Sequence, residues 1–597
     1  MRAFFLAALC VWIPCTCAAE PMVLDTVEVA VTPDTQNVYL IRNWDDLERE
    51  IAVKRDGTGI KGIEYQGLSG QHLGTAIAYH HVFIPTQRWF DGLSELRMYP
   101  ASAFDGLGLQ DGDHGFTQAV LETGRSQNGT FAQFDVNSLQ NYRISAGHDA
   151  DDLHFRVWGG GDHNRFDYQY QWRRAAFEEP VNQVGAMVAA SHVWGNVGAD
   201  GLIVSGYREA AGGGVSEYPA ASRDALDRSF DTLVGVSLYH SGISSGRWLY
   251  QPSVSVSNRM NLHHYSNPSP LVGKSVDQTY LDNSLSVNFD NIWSDNLQIG
   301  FYIHYNRNDF KDISSDELLK PASLDSALVR SDVLIPFTHD EHIFALLLDA
   351  GADISSEAIL PIARCRFSYQ YLDVFSSSVS AKYLSRRPNY SEMYYRSEGI
   401  HGNEELNPEQ GVHGELNLQI GLSEYTASIV QNISATGYIY HYSSSIHWVP
   451  VTSYLTVAKN LSDVSGKGIS IDARFGYDIA GLKFTLLSGY RYTHVSTEGY
   501  DLPFVFRHRF DTSLSIEYHQ FSIVGKYKYE HGAHYAFSHH ASIKDRHIID
   551  LSASYRMRHL LFELYIHNLR DDRTMFDSRQ RPLPGIESGV SVRYDVK

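Results

Sequence analysis

The chain has 597 residues, 12% of them aromatic with 37 Tyr, a formal net charge of -20 and a mean hydropathy of -0.27. That acidic balance argues against nucleic acid as a partner. Beyond the N-terminus no apolar run reaches the roughly 18–20 residues of a transmembrane helix, so any membrane crossing must be made by strands.

Residues 1–19 read as a secretory signal peptide. Arg2 supplies the positive start, and the apolar stretch 3–11 is too short to span a bilayer. Ile13 and Pro14 before Cys15 make a poor lipoprotein signal. Cys10, Cys15 and Cys17 fall within this leader, so Cys365 alone remains and an intramolecular disulfide is excluded. Residues 20–35 form an exported arm containing Asp25, Thr26, Val27, Glu28 and Val29, an alternation able to add as a strand to a partner's sheet. Residues 36–124 are mixed in pattern, with one short helix predicted over 44–53.

From 125 to 597 short alternating runs dominate. Barrel strands need only about 9–11 residues with every second side chain apolar, which keeps mean hydropathy low. Abundant Tyr and Trp suit girdles at two membrane interfaces. The spacing predicts hairpins over 469–494, 510–529 and 548–566, each closed by a short turn. Polar stretches at 207–228, 265–278, 307–327 and 530–546 are predicted as long connections at the opposite end.

Residues 383–421 leave a strand, cross an irregular polar segment and resume alternation with Leu416, Leu418 and Ile420 on one face. Here Arg387-Pro388, then Glu392-Met393-Tyr394, then Gly402-Asn403 through Leu406 to Pro408-Glu409 resemble the signature of TonB-dependent outer-membrane receptors. Further similar elements are Val457 to Asn460 followed by Gly466 to Ile469, Pro503 with Arg507, and Tyr565 to Asp571 followed by Pro582 to Gly585. Asp25 to Val29 resembles the family's TonB box. The match is weaker between 36 and 88, where Gln66 stands at the usual arginine of an Ile-Arg-Gly element, and the chain ends on Lys597 rather than an aromatic residue.

The resemblance implies an all-β fold: a transmembrane antiparallel β-barrel of about 22 strands over 125–597, with a shortened N-terminal plug domain (36–124) in its lumen. It implies a bacterial outer-membrane location and a monomer embedded in lipid. The TonB energy-coupling protein would be its periplasmic partner and a scarce metal complex its cargo: iron-siderophore, haem, cobalamin, copper or zinc. No cofactor is expected.

No catalytic set stands out: there is no Gly-x-Ser-x-Gly, phosphate loop or His-Glu-x-x-His, so an enzyme is not expected. The 28 His include local pairs at 263/264, 339/342, 531/534 and 539/540, none with a full ligand set. His401 is the better single candidate, because haem-importing members of the family resemble this arrangement, with a ligand His between two such elements. Tyr394, Tyr395 and Arg396 beside it could stack on or pair with a large anionic complex. A second ligand would come from the plug apex, with His72, His80 and His81 available. Two other readings fit the same strands. One is a degenerate receptor serving as a surface-binding or structural protein. The other is a passive porin, which would have no use for the box or plug-like segment.

Overall fold

In the computed structural model the described residues are 36–39, 52–56, 59–66, 68–69, 72–91, 96–99, 103–104, 106–111, 117–123 and 129–596. Within the last span, 164–165, 171–172, 178–179, 212–223, 269–274, 316–318, 373, 397–399, 422–429, 452–454, 498–499, 535–541 and 573–584 are not among them. The box residues Asp25 to Val29 lie outside the described residues, as do 44–51 of the predicted helix; Ala52 and Val53 begin a strand, Ala52–Asp56.

Residues 129–596 form a closed antiparallel barrel of 22 strands. Sequential strands pair as hairpins, and the last, Glu587–Val596, pairs with the first, Gly129–Asn137. Closure leaves no edge strand and no unpaired row of backbone groups, which is what a sheet in lipid requires. The period-2 alternation sets the wall. Leu202 and Val204 are buried at 1% and 0% exposure, while Ile203 between them is 50% exposed on the outer face. Val236, Val379, Ile439, Ile523 and Leu564 lie on that same apolar outer surface.

One end carries tight turns at 195–196, 340–341, 480–481, 519–520 and 558–559. Asp340, Ala480, His519 and Arg558 adopt positive φ there, as two-residue hairpin turns demand. The other end carries the long connections. They are shorter than their polar composition predicts: strands run to Ala211 and resume at Leu226, run to Asn267 and resume at Val276, and run to Asp312 and resume at Ala322. The wall continues past its apolar band, where both faces meet water and polarity does not end a strand.

The N-terminal segment builds a mixed five-stranded sheet in the order Gln36–Tyr39, Gly106–Asp111, Thr117–Glu122, Gly74–Tyr79 and Val82–Pro85. It packs on the inner face of the wall. Ile77, Tyr79, Ile84, Met98 and Tyr99 share one core with the wall residues Trp158, Met187, Leu202, Val204 and Leu233. Trp158 Nε1 donates to the Met98 carbonyl at 2.8 Å, and Tyr99 Oη donates to Asp231, which also pairs with Arg259 at 3.1 Å. The Trp158 and Tyr99 donors thus find buried partners across the seam.

Candidate functional site

The long connection 387–408 is organised by one helical turn, α1 (Tyr390–Tyr394). Asn389 caps it. Its side chain accepts from Glu392 N at 2.9 Å, and the Glu392 carboxylate accepts from Asn389 N at 2.8 Å, a reciprocal capping box. The first helical N–H groups have no intrahelical partner. Here Tyr390 N donates to Trp89 O at 3.1 Å and Ser391 N to Phe90 O at 2.6 Å, so the N-terminal segment supplies the missing acceptors. Phe90 N in turn donates to Asp282 at 3.0 Å, and its ring stacks on Tyr280, Phe310 and Tyr390. After α1 the chain folds back: Gly402 N donates to Tyr395 O at 2.6 Å and Asn403 N to Glu392 O at 2.7 Å. A Cβ on Gly402 would sit 2.8 Å from the Ser391 and Met393 carbonyl oxygens, so this close crossing needs glycine.

Beneath α1 lies a buried charged network. Glu409 is fully buried; its carboxylate accepts from Arg386 Nε at 2.6 Å, from His72 Nε2 at 3.0 Å, from Ser445 Oγ at 3.1 Å and from Ile446 N. Arg386 also bonds Glu392 at 3.1 Å. Buried carboxylates persist only when paired and hydrogen-bonded in this way. The arginine that joins the two glutamates is Arg386, while Arg387, the signature arginine before Pro388, pairs with Asp353 at 2.8 Å. His447, in the strand Ser445–Pro450 of the next connection, stacks at 5.9 Å on His72 and lies 3.0 Å from Ser445 Oγ. Burial, with the His72 ring beside it, pushes the His447 imidazole down to about 4. Asn407 and Asn460 exchange hydrogen bonds at 2.9 Å, stitching the two connections together.

The residues predicted for ligand contact separate. His401 is exposed and pairs, within Ile400–His401, alongside Thr456–Leu461; it also bridges to Arg396. Arg396 is exposed beside Glu404 at 3.5 Å, and Tyr394 is half-buried. These three share one mouth. Tyr395 is buried in the aromatic cluster around Phe90, and His72 is buried against Glu409 below. His80 and His81 correct the expectation of a common apex. They sit at the tight-turn end, where His81 Nδ1 lies 2.9 Å from Asp200, a residue just past the 195–196 turn, and stacks on Tyr239. Among the described residues no group of three or more His, Cys, Asp or Glu is arranged to hold a metal ion. Gln66, at the usual arginine position, donates to Glu415 at 2.7 Å and accepts from His413 at 2.9 Å. The tie from His72 to Glu409 and the role of Trp89 and Phe90 were not legible in sequence; Glu392 and Glu409 were visible only as parts of a signature.

The family model described as TonB dependent receptor-like, beta-barrel, matches residues 64–569. The chain belongs to the TonB-dependent receptor family. The receptor resembles solved structures of this kind over more than nine-tenths of its length. They include the copper transporter OprC (13% identity, TM-score 0.71, 93% of this chain and 95% of that one) and the ferric enterobactin receptor PfeA of Pseudomonas aeruginosa (12%, 0.69, 94% and 98%). The FrpB iron transporter from Neisseria meningitidis also matches (10%, 0.70, 94% and 100%). At these identities the likeness is one of fold. No curated protein matches the receptor in sequence. As a barrel of this family it resides in the bacterial outer membrane. Its tight turns then face the periplasm and its long connections the exterior, which puts His401, Arg396 and Tyr394 at the extracellular mouth.

Proposed function

We propose that the receptor imports a scarce metal complex across the outer membrane: an iron-siderophore, haem, cobalamin, or copper or zinc in complexed form. In this reading residues 36–124 are the plug, and Asp25 to Val29 hand a strand to the TonB energy-coupling protein. The observation that carries the proposal is the N-terminal sheet packed on the inner wall, with Trp89 and Phe90 just beyond its edge strand hydrogen-bonded to α1 of an extracellular connection. A passive pore has no need of such a segment. Exposed His401 and Arg396 with half-buried Tyr394 offer a cation, an imidazole and an aromatic face to a large anionic complex. His72, His80 and His81 fall away as direct contacts on this reading. The test is binding of ferric siderophores, haem, cobalamin, copper and zinc to the purified receptor, followed by cell uptake of whichever binds. Saturable binding of one class with energy-dependent uptake supports the proposal; no binding to any of them favours a degenerate, structural role.

A further inference from the structure

We infer that the N-terminal segment positions the extracellular connection 387–408, with Trp89, Phe90 and His72 as the positioning residues. Three contacts converge on α1 from that segment. The carbonyls of Trp89 and Phe90 accept the first two helical N–H groups. The Phe90 ring packs with Tyr390, whose own ring stacks on Phe310 at 4.0 Å. His72 bonds Glu409, whose other oxygen holds Arg386, which bonds Glu392 at the third helical position. A one-turn helix cannot stand alone in water, because nucleation costs more than a single turn returns. Its acceptors and its buried counter-charge are therefore what keep it formed.

The consequence runs through α1 to the mouth. The carbonyls of Glu392 and Tyr395 hold Asn403 and Gly402, which directly follow His401. Withdrawing the N-terminal segment removes two helix-capping acceptors and the imidazole on Glu409 in one movement, and the His401 segment loses its support. Linkage makes the effect reciprocal: a ligand that orders the mouth also tightens the segment beneath it. The inference deepens the import reading, since it takes 387–408 as the ligand-facing connection; its test needs no ligand.

The test is amide hydrogen exchange on the full-length receptor in detergent, comparing wild type with Phe90→Ala, His72→Ala and His72→Gln. Both alanine variants are expected to speed exchange of peptides covering 390–403 by about tenfold, the size expected for losing a local stabilising contact. His72→Gln, which keeps a donor for Glu409, should stay within about twofold of wild type, and the hairpin 508–531 should not change. The histidine pair carries the test alone if Phe90→Ala fails to fold. Unchanged exchange at 390–403 in the alanine variants would overturn the inference. Equal acceleration at 508–531 would overturn it too, because the loss would then be global. Either result leaves the ligand-binding experiment untouched.

Discussion

Removing residues 36–124 is expected to turn the receptor into an open channel. The wall has 22 strands. At about 4.8 Å between strands and a tilt near 40°, its backbone diameter is roughly 44 Å. Inward side chains take about 5 Å from each side, half the spacing of packed sheets, which leaves a bore on the order of 30 Å. The wall is hydrogen-bonded to itself around the whole circle, so it should survive the deletion, although Trp158, Met187 and Leu202 lose their apolar cover. An ohmic bore of that width and about 40 Å length in 1 M KCl conducts on the order of 10–20 nS. Planar-bilayer recording of the two proteins, each first shown to be heat-modifiable and strand-rich by circular dichroism, makes the comparison. Full-length protein conducting as much as the deletion would refute the reasoning, because the segment on the inner wall would then not occlude the lumen.

Glu409→Ala should leave Arg386 buried with one carboxylate instead of two and cost about 3–5 kcal/mol locally; tryptic cleavage after Arg396 should then accelerate by two orders of magnitude or more. His447 is held neutral by burial, which lowers its folded value to about 4 from the ordinary imidazole value of about 6.5. Its contribution is therefore complete above pH 6.5 and is lost as pH falls through 4, which Trp448 fluorescence should follow and His447→Phe should abolish. Val27→Pro removes a backbone donor from the strand offered by the exported arm, so uptake should fall at least tenfold with surface binding retained; equal uptake would remove the box assignment. His401→Ala should weaken haem binding and shift the bound-haem absorbance if haem is the cargo, and should matter little for a siderophore, whose chelator already satisfies the metal.

The barrel was legible because its code is local. Alternation in 469–494 and 510–529 reports a wall with one face in lipid, and the strands Val464–Ile479, Leu482–Thr497, His508–Tyr518 and Phe521–His531 follow it with extended ends. The N-terminal segment was not legible in the same way. Thr75, Ala76 and Ile77 are buried in succession, because that sheet is covered on both faces and has no period to read. The last two residues of the helix predicted over 44–53, Ala52 and Val53, enter a strand instead. At the mouth, His401 could be placed between two strand signals. The partner of His72 could not: Glu409 lies 337 positions away, and a contact of that separation leaves no local signature.

The wall standing past its apolar band changes where recognition takes place. Trp248–Asn267 has 20 residues and Val276–Ser294 has 19. Strands of that length rise about 50 Å along the barrel axis, against an apolar band of about 25 Å. The tight turns hold the other end near the membrane surface, so most of the excess forms a chimney on the outside. On the import reading proposed above, a ligand would therefore meet His401 and Arg396 in water of ordinary ionic strength, well clear of the hydrocarbon. Its capture should respond to salt, through Debye screening of the charged rim, far more than to the thickness or fluidity of the membrane below.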